Sequence, residues 1–533
     1  MLHEPSSSCE FPVSGVSVKF PYTAYRSQKA MIYKIISAIK ARKNVLLESP
    51  TGSGKTVSLL CSTLAWQLSE YERVESELFD ERKRQMNNKL MRLSSDADSS
   101  LPKQVVVHNE CDYILLYFPL SLCCIQPIKS VDILDDLTDD SIFHMRLQAA
   151  RKNVPKIFFG SRTHKQLAQV IGELKKTDYC SKIRITILAS RRQLCINDRA
   201  TNQDMDLNEG CKTLLRDKNG IQCTYYSQLK RFDQNPSKLR KLLFKVQRAS
   251  SVHDDKAHVW DIEDLTKIGD EHHFCPYFAA TSTLMQDANV IFAPYNYLVD
   301  PLVRERMKLN VKNQIILIDE AHNIEDCCRE SLNFVITRNE LEAERESLEL
   351  AAADSFRQEY IYLKDLCSKM ISFIDAYTMN TECLHHTEYG RYYKIWSSAD
   401  IVVQLNDHLG VNKENYSECL TALRNINEAE NESNKSDNSP EHQGNDIVQV
   451  TKPCIEKFCA FITYFFKENL KFMEDFRRTC NRNGRRSEIL AQLLFIITGS
   501  SLTLLKKLFP FPKDRNMACY IVKYSSVETN TQT

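Results

Sequence analysis

Residues 44–56 read Asn44-Val45-Leu46-Leu47-Glu48-Ser49-Pro50-Thr51-Gly52-Ser53-Gly54-Lys55-Thr56. Val45–Glu48 is a short apolar run, which predicts a buried strand. Gly52 and Gly54 let the backbone turn tightly with its N–H groups inward. Val57, Leu59, Leu60 and Leu64 follow at helical spacing. Strand, glycine turn and helix are the context in which this pattern cradles phosphate, and the helix N-terminus adds partial positive charge. Lys55 is expected on the β- and γ-phosphates and Thr56 on a magnesium ion, with Gly52, Ser53 and Gly54 forming the cradle. Ser49 stands where the common pattern has its first glycine. The plainer alternative is a glycine-rich turn ahead of a helix; the Lys-Thr pair argues against it.

A second apolar run, Ile315-Ile316-Leu317-Ile318, ends in Asp319-Glu320-Ala321-His322. Four β-propense residues predict a second buried strand. Asp319 is placed to hold magnesium through water, and Glu320 to polarise the attacking water. An ordinary strand end is the alternative, weakened by the phosphate-loop pattern upstream.

The chain has 533 residues, 43% hydrophobic and 26% charged, as expected of a soluble globular protein of several domains. Its net charge of +1 identifies no partner. Local charge is more informative: residues 151–192 carry eleven Lys and Arg against Glu173 and Asp178, a candidate nucleic-acid backbone face or a merely solvated one. The first residues carry no signal-peptide pattern. The longest uncharged run, Tyr113–Ile128, contains two prolines and is short for a bilayer span, so no membrane partner is expected. Nineteen cysteines without a secretory signal point to buried thiols or metal ligands rather than disulfides.

Further strands are expected over 156–160, 183–188 and 290–294, interleaved with helical patterns, which predicts a doubly wound parallel sheet. A helix is expected over Gln28–Ile39. Residues 70–155 begin as a charged helix (Glu70–Leu93), pass a Ser/Asp linker at 94–100 and become irregular, as an insertion would. Residues 330–490 read as helical and without such strands, and Asn425–Asn445 as a disordered loop.

Cys195, Cys211, Cys223 and Cys275 lie between the two nucleotide motifs, separated by 15, 11 and 51 residues. Zinc sites usually show close pairs, absent among these four, so scattered core thiols remain open beside a metal site. The segment 189–275 is polar and poor in apolar periodicity, and a bound metal group would supply stability that it lacks. Thiolate is the usual ligand of an iron–sulfur cluster.

These residues resemble the iron–sulfur superfamily 2 DNA helicases of the xeroderma pigmentosum group D family. Within it the chain is most similar to the Fanconi anaemia group J type, with the telomere-length-regulating type as the nearest alternative. The resemblance rests on Phe20-Pro21-Tyr22 with Gln28, the phosphate loop, Leu64-Ala65-Trp66-Gln67 and Phe159–Gln166. Trp260-Asp261-Ile262-Glu263, Pro294–Leu298 and Asp319–Asp326 complete it. Helicases of this superfamily often lack the first loop glycine.

The resemblance implies an α/β fold: a RecA-like parallel-sheet P-loop domain with an inserted iron–sulfur domain and a mainly helical arch domain. It assigns 1–188 to the first part of motor domain 1, with an insertion over about 70–155. Residues 189–275 become the cluster domain, 276–330 the motor domain continued, 331–490 the arch and 491–533 a remnant too short for a second motor domain. It implies ATP and Mg²⁺ as cofactors and a [4Fe–4S] cluster on Cys195, Cys211, Cys223 and Cys275. Gln28 is expected to read adenine, and Arg162, Thr163 and His164 to lie on DNA. Single-stranded and forked DNA, DNA repair proteins, the nucleus and 5′–3′ unwinding in crosslink and double-strand-break repair follow from the same resemblance. The tail after Leu502 matches the family's returning motif poorly. A catalytically incomplete single-stranded-DNA-binding or interaction module is therefore the alternative. A zinc-dependent nucleic-acid-binding protein is disfavoured by the phosphate loop.

Overall fold

The computed structural model describes residues 9–50, 52–96, 105–107, 114–116, 140–201, 207–216, 222–233, 238–239, 242, 259–332, 334–355, 357–379, 385–386, 392–436, 452–466, 476–483, 490–497 and 519–524. The expected linker over 94–100 and the irregular run over 113–128 lie largely outside these.

The chain opens with a hairpin, Cys9–Val13 against Val16–Phe20. Its two-residue turn places Ser14 and Gly15 both at positive φ, 49° and 76°, which suits the right-handed twist of paired strands. Helix Arg26–Lys40 then leads to the strand Val45–Glu48 and a helix of 42 residues, Lys55–Asp96. The charged stretch after Glu70 thus continues the helix that begins at the phosphate loop. Helix Asp140–Asn153 packs beside it: Phe79 and Phe143 meet at 5.0 Å, the Arg82 guanidinium lies over Phe143, and Arg151 pairs with Glu75.

The central sheet has six parallel strands in the order 45–48, 519–524, 315–318, 157–161, 290–294, 185–187. This is the α/β fold expected of a RecA-like P-loop domain. Strands 157–161, 290–294 and 315–318 are buried at every position, as a sheet covered on both faces requires. Strand Ile185–Ile187 is likewise buried throughout rather than alternating. Gln67, fully buried on the long helix, donates Nε2 to the carbonyls of Pro155 (2.8 Å) and Asn289 (3.2 Å) and so fixes the entry of two central strands.

Three expectations need correction. The region 331–490 is not strand-free. Phe334–Thr337, His385–His386, Tyr392–Trp396, Phe476–Asn483 and Leu490–Ile497 form a five-stranded antiparallel sheet beside its helices. Runs such as Phe-Val-Ile-Thr and Tyr-Tyr-Lys-Ile-Trp are β-prone and too short to show a helical period. The strand 490–497 also straddles the boundary expected at 490, and 519–524 belongs to the motor sheet. Finally, residues 425–436 are helical, within Tyr416–Ser436. Ala422, Ile426 and Ala429 recur along it at helical spacing and are buried, while Asn425 and Glu428 between them are exposed.

Two apolar cores result. One joins the hairpin, the first helices, the sheet and the cysteine-bearing segment, through Leu194, Leu229, Trp260, Leu265, Ile268 and Phe274. That segment therefore contributes apolar side chains, which its sequence pattern hid. The other joins the far side of the sheet to the helices over 338–466.

Candidate active site

Parallel pairing brings both nucleotide motifs to one edge of the sheet. Glu48 pairs with Tyr524, and Ile318 with Val522. The phosphate loop and the acidic pair thus leave strands two positions apart, about 10 Å, at the carboxyl ends. Ligands of open parallel sheets bind there.

The loop is held from within. Gly52 and Gly54 take φ of +76° and +70°, which only glycine adopts freely. Lys55 is 5% exposed, and its ammonium donates to the Ser49 carbonyl at 2.5 Å. Ser53 Oγ donates to the Pro50 carbonyl at 2.9 Å and lies 2.7 Å from Ser49 Oγ. Ser49, at the position of the usual glycine, therefore braces the loop with both its hydroxyl and its carbonyl. Gln28 is buried: Oε1 accepts from the Tyr25 N–H (2.9 Å) and Nε2 donates to the Ser53 carbonyl (3.1 Å). Its amide supports the phosphate loop from the start of the helix. The aromatic ring standing out at this helix start is Tyr25, 73% exposed.

Asp319 is 6% exposed, and its N–H donates to the Gly160 carbonyl at 2.9 Å. Glu320 has left-handed backbone angles, φ 52° and ψ 50°, and caps the short helix Ala321–Asn323. The Tyr295 hydroxyl donates to the carbonyl of Asp319 and to that of Glu320 (3.0 Å). Burial, then the Asp319 and Glu320 charges, push the Tyr295 phenol far up, so it stays a donor. Tyr295 and Tyr297 are buried, 2% and 9% exposed, and are not rings on which bases could stack. They are apolar body first, and the composition of Pro-Tyr-Asn-Tyr-Leu conceals that.

Arg162 is exposed, and its Nη1 donates to Asn323 Oδ1 at 3.0 Å, against the acidic turn. Thr163 is the N-cap of helix His164–Lys175, in a reciprocal box with Gln166. His164 has a buried Nδ1 with no partner among the described residues, and burial lowers its pKa. Much of the basic run is used inside the protein: Lys156 on the Met285 and Gln286 carbonyls, Lys175 on Asp264, Arg184 on Asp287. Arg162, Lys165 and Arg192 are exposed, as are Lys152 and Lys182.

The four expected cysteines converge. Cys195, Cys211, Cys223 and Cys275 line one cavity with Leu214, Tyr226 and Phe278. Burial raises the Cys195 thiol, and the nearby Cys211 and Cys223 add to it. Cys275 is pushed up to about 12, burial again outweighing the N–H groups of Phe278 and Tyr277. Asn197 Nδ2 donates to Cys223 Sγ at 3.2 Å. Arg191 lies over the Tyr277 ring at 4.4 Å. Among the described residues no three His, Cys, Asp or Glu lie close enough to hold a single metal ion. One zinc would draw its thiolates to about 4 Å of one another. Four thiols between apolar walls are a donor set of the kind an iron–sulfur cluster uses.

No described helix is long and apolar enough to cross a membrane. The DEAD_2 family model matches residues 159–341, from the strand before Arg162 to just past the acidic turn. The chain is 28% identical to the Fanconi anemia group J protein homolog of Gallus gallus, over 89% of this chain and 44% of that protein. It is 32% identical to regulator of telomere elongation helicase 1 of Rattus norvegicus, over 61% of this chain and 21% of that one. The chain thus spans less than half the length of these curated relatives. A solved structure described as "XPD_Helicase" superposes over 93% of this chain and 57% of its own, at 15% identity and a TM-score of 0.36.

Proposed function

We propose that this chain, which resembles the Fanconi anaemia group J-type helicases of the xeroderma pigmentosum group D family, carries the ATP-binding motor domain of an ATP-dependent 5′–3′ DNA helicase of nuclear DNA repair. The observation that supports it most is the shared sheet edge. The phosphate loop, Asp319–Glu320 and Arg162 open at the same carboxyl ends.

In this reading Lys55 leaves the Ser49 carbonyl for the β- and γ-phosphates, and the N–H groups of 52–56 complete the cradle. Thr56 and Asp319 hold magnesium, which when bound neutralises charge on the phosphates. Glu320 orients and deprotonates the attacking water. Single-stranded DNA lies on Arg162, Lys165 and Arg192 and on the N-terminus of the helix that begins at His164, its phosphates supplying affinity. Cys195, Cys211, Cys223 and Cys275 hold a [4Fe–4S] cluster that fastens the inserted segment to the motor domain.

Binding of a fluorescent ATP analogue tests the nucleotide site. Mg²⁺-dependent binding is expected, and Lys55→Ala should abolish it by removing the phosphate counter-charge. Affinity unchanged in that variant would show that the loop is not the site.

A further inference from the structure

We propose that Tyr295 is a positioning residue for the acidic pair: its hydroxyl holds the Asp319–Glu320 backbone in the left-handed turn that aims both carboxylates at the nucleotide edge. The inference rests on the nucleotide-site reading above and adds to it a residue that neither motif contains.

The geometry is specific. Glu320 adopts φ 52° and ψ 50°, a conformation that costs free energy at a residue with a Cβ and persists only where the surroundings impose it. Its N-terminal neighbour is fixed by the Gly160 carbonyl. The two carbonyls that flank the strained residue both meet one phenol. Tyr295 opens the short helix that follows strand 290–294, two positions in the sheet from strand 315–318, which Asp319 follows. To reach the turn it must cross the end of strand 157–161.

Gly160 makes that crossing close. A Cβ there would stand 3.0 Å from Leu298 Cδ1 and 3.2 Å from Ile318 Cδ1. Leu298 belongs to the short helix Tyr295–Val299, and Ile318 precedes Asp319. The missing side chain lets helix and acidic strand approach across position 160, and the phenol spans what is left. Its ring is 2% exposed, so the donor is aimed by packing and cannot swing to solvent.

Two measurements on the whole chain test this. The first is a double-mutant cycle in thermal stability. Tyr295→Phe should lower the melting temperature, and the loss should at least halve in a Glu320→Gly background, where the left-handed turn needs no support. Equal losses in both backgrounds would overturn the clamp, whatever the site binds.

The second reads nucleotide analogue affinity with and without Mg²⁺. Tyr295→Phe should reduce the tightening by Mg²⁺ several-fold and leave the Mg²⁺-free affinity, which depends on Lys55, as in the wild type. A purely structural defect would weaken both. Gly160→Ala, which pushes the helix off the strand with the hydroxyl intact, should reproduce the selective Mg²⁺ defect and serves if Tyr295→Phe folds poorly. Unaltered Mg²⁺ tightening in both variants would overturn the proposal. A wild-type chain indifferent to both Mg²⁺ and Lys55→Ala would overturn the nucleotide site itself, while the stability cycle would still report whether the clamp exists.

Discussion

The two loop glycines share a backbone conformation but not an environment, and their alanine variants should differ for that reason. Gly52 has φ +76° and nothing within 4 Å of the position a Cβ would occupy. Gly52→Ala therefore costs only the left-handed strain, about 1–2 kcal/mol. Gly54, at φ +70°, carries the same strain, and its Cβ would lie 2.3 Å from Gln28 Nε2. Gln28 must withdraw, which breaks its bond to the Ser53 carbonyl and loosens the one to the Tyr25 N–H. Each such bond is worth about 0.5–1.5 kcal/mol net. Gly54→Ala should thus cost about 1–2 kcal/mol more than Gly52→Ala, a further drop of a few degrees in melting temperature for a unit of this size.

Gln28→Ala removes the obstacle. In that background Gly54→Ala should fall back to the cost of Gly52→Ala, while Gly52→Ala should be unaffected. Thermal melts of the five variants read this directly, and the non-additivity is the signal. Equal losses for the two glycines in the wild type, or strict additivity of Gln28→Ala with Gly54→Ala, would refute the assignment of Gln28 as the loop's brace. Nucleotide analogue affinity should follow the same order, because the Ser53 carbonyl that Gln28 holds belongs to the cradle.

Other expected outcomes are as follows. Anaerobically purified protein should be brown with about four irons per chain, and Cys211→Ser should lose the colour and loosen 189–275 in hydrogen exchange; a colourless zinc protein of normal stability would sink the cluster. Arg162→Ala should weaken single-stranded DNA binding on all sequences alike and reduce the salt slope by about 1, as titrations at several salt concentrations would show. Glu344 is raised above its ordinary value by burial, against the N–H groups of Ile455 and Cys454. The folded state therefore holds its proton more tightly than the unfolded one, and this contribution is complete below pH 4.5 and lost as pH rises through the folded value. Melts of the wild type against Glu344→Gln across that range should show the wild type gaining as pH falls.

What could be read from the sequence follows from how local each signal is. The strands 157–161, 290–294 and 315–318 announce themselves because a doubly covered strand is apolar at every position, whereas 45–48, expected to be buried, is half-buried with Leu46 66% exposed and is marked by the phosphate loop that follows it. The phosphate loop and acidic pair are contiguous motifs with their own flanks. The four cysteines could be named but not joined, since spacings of 15, 11 and 51 residues carry no geometry until the chain folds. The antiparallel sheet of 334–497 was missed because its parts, 334–337, 385–396 and 476–497, are parted by helices and most of its strands are short or polar. The burial of Tyr295 could not be read either, because it is set by strands distant in sequence.

The strand 519–524 was invisible for a related reason and bears most on the site. Cys-Tyr-Ile-Val-Lys-Tyr is an unremarked β-prone run, yet it pairs on one side with Val45–Glu48 and on the other with Ile315–Ile318. The strands that lead into the phosphate loop and the acidic pair do not touch each other; their spacing is set by this third segment. Each parallel pairing fixes register as well as distance, so Glu48 stands level with Tyr524, two residues beyond the level of Ile318 and Val522. A one-residue slip would move the loop about 3.3 Å relative to Asp319, enough to part Thr56 and Asp319 as ligands of one ion. A proline at Ile521, opposite both Val45 and Leu317, would remove a ladder donor and disrupt the pairing. Ile521→Pro should therefore abolish Mg²⁺-dependent nucleotide binding while leaving the iron content of the cysteine site unchanged, since Cys195, Cys211, Cys223 and Cys275 lie on segments that 519–524 does not pair with. Intact Mg²⁺-dependent binding in Ile521→Pro would show that the loop and the acidic pair are aligned without it.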